Sequence, residues 1–400
     1  MQYRTLGKTG LSVSVLGFGL MRLPVLDGDP TRIDRDTTER MLLRGLEGGI
    51  NYLDTAYPYH ARSLGEGGRS EPFLGDFLHA HGLRDRVHLV TKLPPWMVRT
   101  REDVERLFDH QLRRLRTDHL DLYLLHAMTL DLWRHLESLG VIPFLEQRLG
   151  DGRIRHAGFS FHSSPAELSL LLDAWDRWEA VQVQYNYLDR NFQGAETALS
   201  LRERYGFGVA VMEPLKGGNL GDRMPDPIRE IFRDAGLSGS PARAALRWLW
   251  DQEGVAVVLS GMSTPEQVEE NLEAATEARS NCLSPKERGA YEAVREALST
   301  RILAGCTSCG YCLPFCPVGV QIPMNLALLN DLYLVAGHKV PTMDRSLMKA
   351  YYGPFIRYDR LLPSERAEAC VGCGACAAHC PQGLDIPGLL ARAAEALRER

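Results

Sequence analysis

Residues 87–126 read VHLVTKLPPWMVRTREDVERLFDHQLRRLRTDHLDLYLLH. Val87–Lys92 is a short apolar run rich in β-branched residues. Asp103, Val104, Leu107, Phe108, Leu112 and Leu115 then recur three and four apart, which predicts an amphipathic helix. Leu120–His126 is a second apolar run. The unit is strand, helix, strand.

The same alternation extends in both directions. Further apolar runs lie at Val13–Leu20, Ile50–Thr55, Ile154–Phe161, Ala180–Tyr187, Gly208–Met212 and Val255–Leu259. Helical spacing recurs between them, as at Leu168, Leu171, Leu172 and Trp175. Ser164-Pro165, Ser240-Pro241, Thr264-Pro265 and Ser284-Pro285 each set a capping side chain before a proline suited to the first helical turn. Eight strand–helix alternations over about 260 residues match a (β/α)8 TIM barrel of the α/β class. A doubly wound open sheet would need a glycine-rich phosphate loop after its first strand. Gly17-Phe18-Gly19 has no third glycine and no helix start after it. Residues 2–12 predict a short hairpin turning at Gly7–Gly10.

The alternation stops near residue 278. One more helix is expected over 284–300, and the boundary is placed near 300. Residues 1–300 form the barrel domain; 301–400, with helices at 325–336 and 386–398, form a small, mostly α-helical module. The chain has 44% hydrophobic and 24% charged residues, as in an ordinary globular protein. A net charge of −5 argues against non-specific binding to nucleic acid or an anionic membrane. No apolar stretch is long enough to span a bilayer, and the first residues lack a secretory core. The cytoplasm is the expected location. Lys is scarce, occurring only at positions 8, 92, 216, 286, 339 and 349.

Eight of the nine Cys lie between Cys306 and Cys380. Such clustering indicates a local metal-bearing domain in a reducing compartment. Cys306, Cys309, Cys312 and Cys316, followed by Pro317, repeat as Cys370, Cys373, Cys376 and Cys380, followed by Pro381. The spacing is that of bacterial-type ferredoxins, in which the fourth Cys ligates the other cluster. Two 4Fe–4S clusters are therefore expected. One would sit on Cys306, Cys309, Cys312 and Cys380, the other on Cys370, Cys373, Cys376 and Cys316. Two four-cysteine zinc sites are the alternative, but they would not require this spacing or the Cys-Pro steps. The long separation of the motifs resembles the α-helical ferredoxin modules of succinate dehydrogenase iron–sulfur subunits. Cys282 lies outside both motifs.

In a barrel of this kind the chemistry sits at the C-terminal strand ends. Those ends carry Asp54, with Tyr57 and Tyr59 beyond it, then Lys92 and His126. A phenol is a weak acid at neutral pH. A neighbouring ammonium favours the phenolate, and a carboxylate keeps that ammonium charged. With an imidazole to orient a carbonyl oxygen, the set suits proton donation during hydride transfer.

These residues resemble the aldo-keto reductase family. Asp54, Tyr59, Lys92 and His126 match its tetrad, with Tyr59 as the acid. Gly17–Arg22, Gln184-Tyr185-Asn186 and Ser260-Gly261 leading to Pro265–Asn271 match as well. The whole chain resembles the subgroup with a C-terminal ferredoxin module. The resemblance implies NADP or NAD bound across the barrel mouth. Gln184 and Ser160 would hold the carboxamide. Pro214, Lys216, Gly217 and Gly218, with Gly261, Ser263, Gln267 and Asn271, would hold the phosphates and adenine; glycines let backbone N–H groups approach a phosphate. Phe161 replaces the family's Asn, Met212 its stacking aromatic and Gln267 its basic residue, so the choice between NADPH and NADH stays open.

The implied function is reduction of a small-molecule carbonyl or oxidation of an alcohol, with the clusters serving electron transfer or structure. Clusters pass single electrons, whereas nicotinamide carries a hydride. Direct coupling needs a converter such as a flavin, for which no motif is present. The alternatives are a ferredoxin-linked reductase with nicotinamide weakly bound or absent, served by a one-electron redox partner protein, and a non-catalytic electron-transfer subunit. Trp96, Met97, Phe161, His162 and Tyr187 are candidate pocket walls.

Overall fold

The computed structural model describes all residues except 63–64, 192, 222–223, 300, 337–360 and 398–400, with 331 and 334–336 described for their backbone alone. The expected helix ends at 300 and 398 fall outside the described residues. Contacts divide the chain into two compact units. One holds Met1–Pro214 and Leu246–Cys282; the other holds Leu215–Ala245 and Leu283–Arg400.

In the first unit, β1 (Tyr3–Thr5) and β2 (Ser12–Ser14) form an antiparallel hairpin around a turn at Gly7–Thr9. Eight parallel strands then close into a barrel: β3 (Leu16–Gly19), β4 (Tyr52–Asp54), β5 (His88–Leu93), β6 (Leu120–Met128), β7 (Ile154–Phe161), β8 (Ala180–Gln184), β9 (Gly208–Met212) and β10 (Val255–Ser260), with β10 paired to β3. The (β/α)8 fold is thus observed, and closure excludes the open sheet.

Two strand expectations change. The run Val13–Leu20 serves two sheets. It breaks at Val15, whose N–H donates to Gln2 O and whose carbonyl accepts from Trp250 Nε1 and Val258 N. Its first part therefore completes the hairpin and its second part enters the barrel. The run from Ala180 ends at Gln184 rather than Tyr187. Leu188 N and Asp189 N both donate to the Asn186 side chain, which turns the chain there.

Hairpin residues Leu6, Leu11 and Val13 pack with Tyr52, Val90, Leu122, Leu124, Ala180 and Ala210 in the barrel interior. Full burial of such a side chain stabilises by about 1.5–3 kcal/mol. Above these residues, two positions further along the same strands, come Asp54, Lys92, His126, Gln182 and Met212. The inward face thus changes from apolar to polar towards the C-terminal ends.

The helix Arg101–Leu115 starts with a reciprocal Thr100–Asp103 capping box. Of the four expected caps, Thr264, Ser240 and Ser284 accept backbone N–H groups. Ser164 precedes its helix without a side-chain cap, the helix start resting on Pro165 instead.

In the second unit, helices Asp226–Ala235 and Pro285–Ser299 pack through Phe232 and Tyr291, whose ring centroids are 5.2 Å apart. Tyr291 Oη donates to Ala244 O at 2.9 Å. The cysteine motifs are followed by helices Ile322–Ala336 and Ile386–Leu397, which pack on each other around Leu326, Leu329, Leu390 and Ala393. Among the described residues no helix is long and apolar enough to cross a membrane.

Candidate active site and cysteine centres

Asp54 ends β4 and is 2% exposed; Lys92 lies near the end of β5 and is fully buried. Lys92 Nζ donates to Asp54 Oδ1 at 2.7 Å, to Thr55 O at 2.9 Å and to Tyr59 Oη at 3.2 Å. Burial pushes Asp54 up and Lys92 down from their ordinary pKa values, while each partner's charge opposes the other's shift.

Tyr59 is carried by the turn after β4. Its carbonyl accepts from Ser70 N at 3.2 Å, and Gly68 N donates to Tyr57 O at 2.8 Å. A side chain at Gly68 would place Cβ 1.9 Å from Tyr59 O, so this close backbone approach requires glycine. His60 fastens the other side. Its Nδ1 pairs with Pro30 O at 2.9 Å, and Leu23 N donates to its Nε2 at 3.2 Å. That pairing makes Nε2 the acceptor and the ring neutral, and burial lowers its pKa.

His126 lies where the β6–β7 register shifts between Leu125 and Met128. Ala127 has φ +55, and its N–H donates to Ser160 Oγ at 2.8 Å. Such bulges re-aim neighbouring side chains. The His126 ring meets Tyr59 edge-on at 6.0 Å and Trp96 at 5.2 Å. Burial, then the charges of Lys92 and His162, hold its pKa well below the usual range. His162 is lowered to about 4, chiefly by burial. The structure thus brings Asp54, Tyr59, Lys92 and His126 together, with His162 near Lys92 and His126.

The other sequence candidates divide between the units. Ser160, Gln184 and Met212 lie at the ends of β7, β8 and β9. Gln184 Nε2 donates to Asp189 Oδ2 at 3.0 Å. Met212 sits beside Gln182, whose buried Oε1 has no hydrogen-bond partner among the described residues. Pro214 closes this stretch of the first unit. Beyond β10, Gly261 adjoins the Arg22 side chain, and Ser263 Oγ donates to Arg22 O at 2.7 Å. Gln267 Oε1 accepts from Ser263 N at 2.8 Å, and Asn271 Nδ2 donates to Ser260 Oγ at 3.0 Å. Lys216, Gly217 and Gly218 belong to the second unit.

None of the nine cysteines is disulfide-bonded. Cys309, Cys306 and Cys380 lie near enough to Cys312 to act on it electrostatically, as Cys316, Cys370 and Cys373 do on Cys376. Each motif's first three thiols therefore share their surroundings with the other motif's fourth. Burial, then the neighbouring thiols, push Cys312 far above the ordinary thiol range.

Residues 15–281 match the aldo/keto reductase family. The chain belongs to the aldo/keto reductase family. Residues 305–384 match the 4Fe-4S dicluster domain, so this oxidoreductase of the aldo-keto reductase type carries an iron–sulfur domain. The chain is 27% identical to L-galactose dehydrogenase of Arabidopsis thaliana over 314 residues, covering 74% of this chain and 95% of the relative. An aldo-keto reductase of Bacillus halodurans in its holo form is 29% identical, with a TM-score of 0.59, over 74% of this chain and 96% of that one. An aldo-keto reductase of Klebsiella pneumoniae solved with NADPH is 25% identical, with a TM-score of 0.58, over the same shares.

The reductase-family chain's cysteine loops fit two clusters. The motifs repeat at an offset of 64 residues, Cys306 to Cys370. Ser308, Gly310 and Gly319 have φ +58, +81 and +81; Gly372, Gly374 and Gly383 at the equivalent positions have +69, +74 and +61. Both loops thus curl alike. Ser308 N donates to Cys306 Sγ at 3.4 Å and Val320 N to Cys316 Sγ at 3.3 Å, as suits thiolate ligands. The sequence reading missed His60, Gly68 and the His126 bulge. His60 follows Tyr59 directly and Gly67-Gly68 is visible as a pair, but neither shows which backbone group it will meet.

Proposed function

We propose that the barrel reduces a small-molecule carbonyl, or oxidises the corresponding alcohol, with NADPH or NADH. The observation that carries this reading is the single ammonium of Lys92 joining the Asp54 carboxylate to the Tyr59 phenol. When bound, the nicotinamide supplies or accepts the hydride. Tyr59 gives its hydroxyl proton to the carbonyl oxygen. Lys92 stabilises the phenolate left behind, and Asp54 holds Lys92 charged and aimed. His126, kept neutral by burial, orients the carbonyl oxygen beside Tyr59.

The groups at the mouth suit an amide-bearing cofactor. Ser160 and Gln184 are the residues for the carboxamide, and Gln182 Oε1 is a buried acceptor open to an N–H donor. The NADPH bound by the Klebsiella relative supports a nicotinamide here. Pro214, Gly261, Ser263, Gln267 and Asn271 remain the residues proposed for the rest of the cofactor, with Met212 beside the nicotinamide. Gln267 is engaged with Ser263 N and carries no charge, so it gives no basis for selecting a 2′-phosphate. This leaves NADH as well placed as NADPH; the second reading, in which nicotinamide binds weakly and the clusters bring electrons from a one-electron protein partner, rests on the 4Fe-4S dicluster match.

Two 4Fe–4S clusters are assigned to Cys306, Cys309, Cys312 and Cys380, and to Cys370, Cys373, Cys376 and Cys316. A reducing compartment such as the cytoplasm suits them. Fluorescence titration with NADPH and NADH separates the two readings, since no binding of either at millimolar concentration removes the nicotinamide-linked one. Anaerobic purification with iron, sulfide and zinc analysis tests the clusters, and zinc in place of iron would overturn them.

A further inference from the structure

Lys216 is 4% exposed, and its place in the second unit is built from glycines. Its own φ is +46, and Gly217 and Gly218 follow at +66 and +94. Three successive residues in the left-handed region make a tight turn, closed by Gly218 N and Leu220 N donating to Leu215 O at 2.9 and 3.0 Å. The bare face of Gly217 lies on Thr307: a Cβ there would stand 3.3 Å from Thr307 O and 3.4 Å from its Cα. Thr307 is 2% exposed and lies between the first two cysteines of the first motif. Lys216 extends to the same segment. Its Nζ is 3.4 Å, and its Cε 3.9 Å, from the point a Cβ on Gly305 would occupy. Gly305 immediately precedes Cys306, so the ammonium lies beside the start of the first cysteine loop.

We propose that Lys216 is a redox-tuning residue for the cluster assigned to Cys306, Cys309, Cys312 and Cys380; this rests on the cluster reading above. Reduction adds one electron to a cluster and its thiolates. No bond forms or breaks and no proton moves, so the unit gains one negative charge. A fixed ammonium shielded from water favours the more negative state and raises that cluster's potential. In a ferredoxin module, reduction potential responds to local charge and solvent exposure, and Lys216 supplies the charge from within the protein. The residue that family resemblance assigns to a cofactor phosphate is thereby given a role beside the first cysteine motif.

The test is a mediated potentiometric titration with dithionite, followed by EPR, on the anaerobically purified full chain. Lys216→Gln should shift one of the two midpoints to lower potential and leave the other unmoved, while Lys216→Arg should restore it. Lys216→Met keeps the aliphatic stem and removes the charge, so the same midpoint should move in the same direction. It also serves as the second variant if Lys216→Gln fails to assemble. Both midpoints unmoved in Lys216→Gln, or in Lys216→Met where that is the variant that assembles, would overturn the proposal. So would an equal shift of both. Native protein without iron would remove the cluster reading together with this proposal, whereas intact clusters with unmoved midpoints would remove this proposal alone.

Discussion

Lys92 and Tyr59 are joined directly: the ammonium donates to the phenol oxygen at 3.2 Å while holding Asp54 at 2.7 Å. A change at Tyr59 therefore acts on the acid without disturbing the ion pair beneath it. Tyr59→Phe should lower kcat for carbonyl reduction by about 10²–10⁴-fold, the usual contribution of a positioned general acid. Steady-state kinetics on a panel of aldehydes checks this, and an undiminished kcat would remove Tyr59 as the acid.

The ion pair itself is buried, so removing either member strands the other's charge. Lys92→Met or Asp54→Leu should each destabilise the barrel by about 3–5 kcal/mol. The double variant should be considerably more stable than the sum of the two losses. Urea unfolding followed by tryptophan fluorescence measures all three. Strict additivity would mean that the two charges do not act as a pair.

Gly68→Ala would set a methyl group 1.9 Å from Tyr59 O. The turn must then shift and carry the phenol with it. Displacing a reacting group by about 1 Å costs on the order of 10²-fold in rate. Circular dichroism should show the barrel retained while kcat falls by that order; full activity would show that the turn adapts without moving Tyr59.

Three imidazoles, His60, His126 and His162, have pKa values lowered by burial, His162 to about 4. The unfolded chain binds these protons near pH 6.5, and the folded protein does not. Stability should therefore be full above about pH 6.5 and fall as the pH drops from there towards about 4. Replacing one of them, as in His162→Asn, should flatten that dependence. Denaturation midpoints from pH 7.5 to 5 provide the check, and parallel profiles for variant and parent would argue that His162 takes no part.

The proposed exchange of fourth cysteines predicts which variants share a phenotype. Cys306→Ser and Cys380→Ser should leave the same surviving EPR signal, and Cys316→Ser and Cys370→Ser the other. Pairing of Cys306 with Cys316 instead would show that each motif holds its own cluster.

The barrel was legible because each strand announces itself by an apolar run, and the tetrad because strand ends converge in a closed sheet. Asp54, Lys92 and His126 could be found from those two facts alone. Contacts made by backbone were not legible. Val15 interrupts an apolar run because its peptide group is recruited by Gln2, Trp250 and Val258, and composition carries no trace of that. His126 owes its direction to a one-residue register shift, which periodicity averages away. Lys216 read as a phosphate contact because its neighbours are glycines. The same glycines equally permit close packing on Thr307, and sequence spacing cannot distinguish the two.

With the fourth cysteines exchanged, bound iron would fasten Cys312 to Cys380 and Cys316 to Cys376, enclosing a common stretch of chain. The entropic cost of closing a flexible loop grows slowly, by about 0.6 kcal/mol for each doubling of its length. The ligands would therefore place little restriction on how long the intervening segment is. That stretch is held instead by its own helix, Ile322–Ala336, whose Leu326 and Leu329 pack with Leu390 and Ala393 of Ile386–Leu397, so the iron ligands and the apolar core would close the module together.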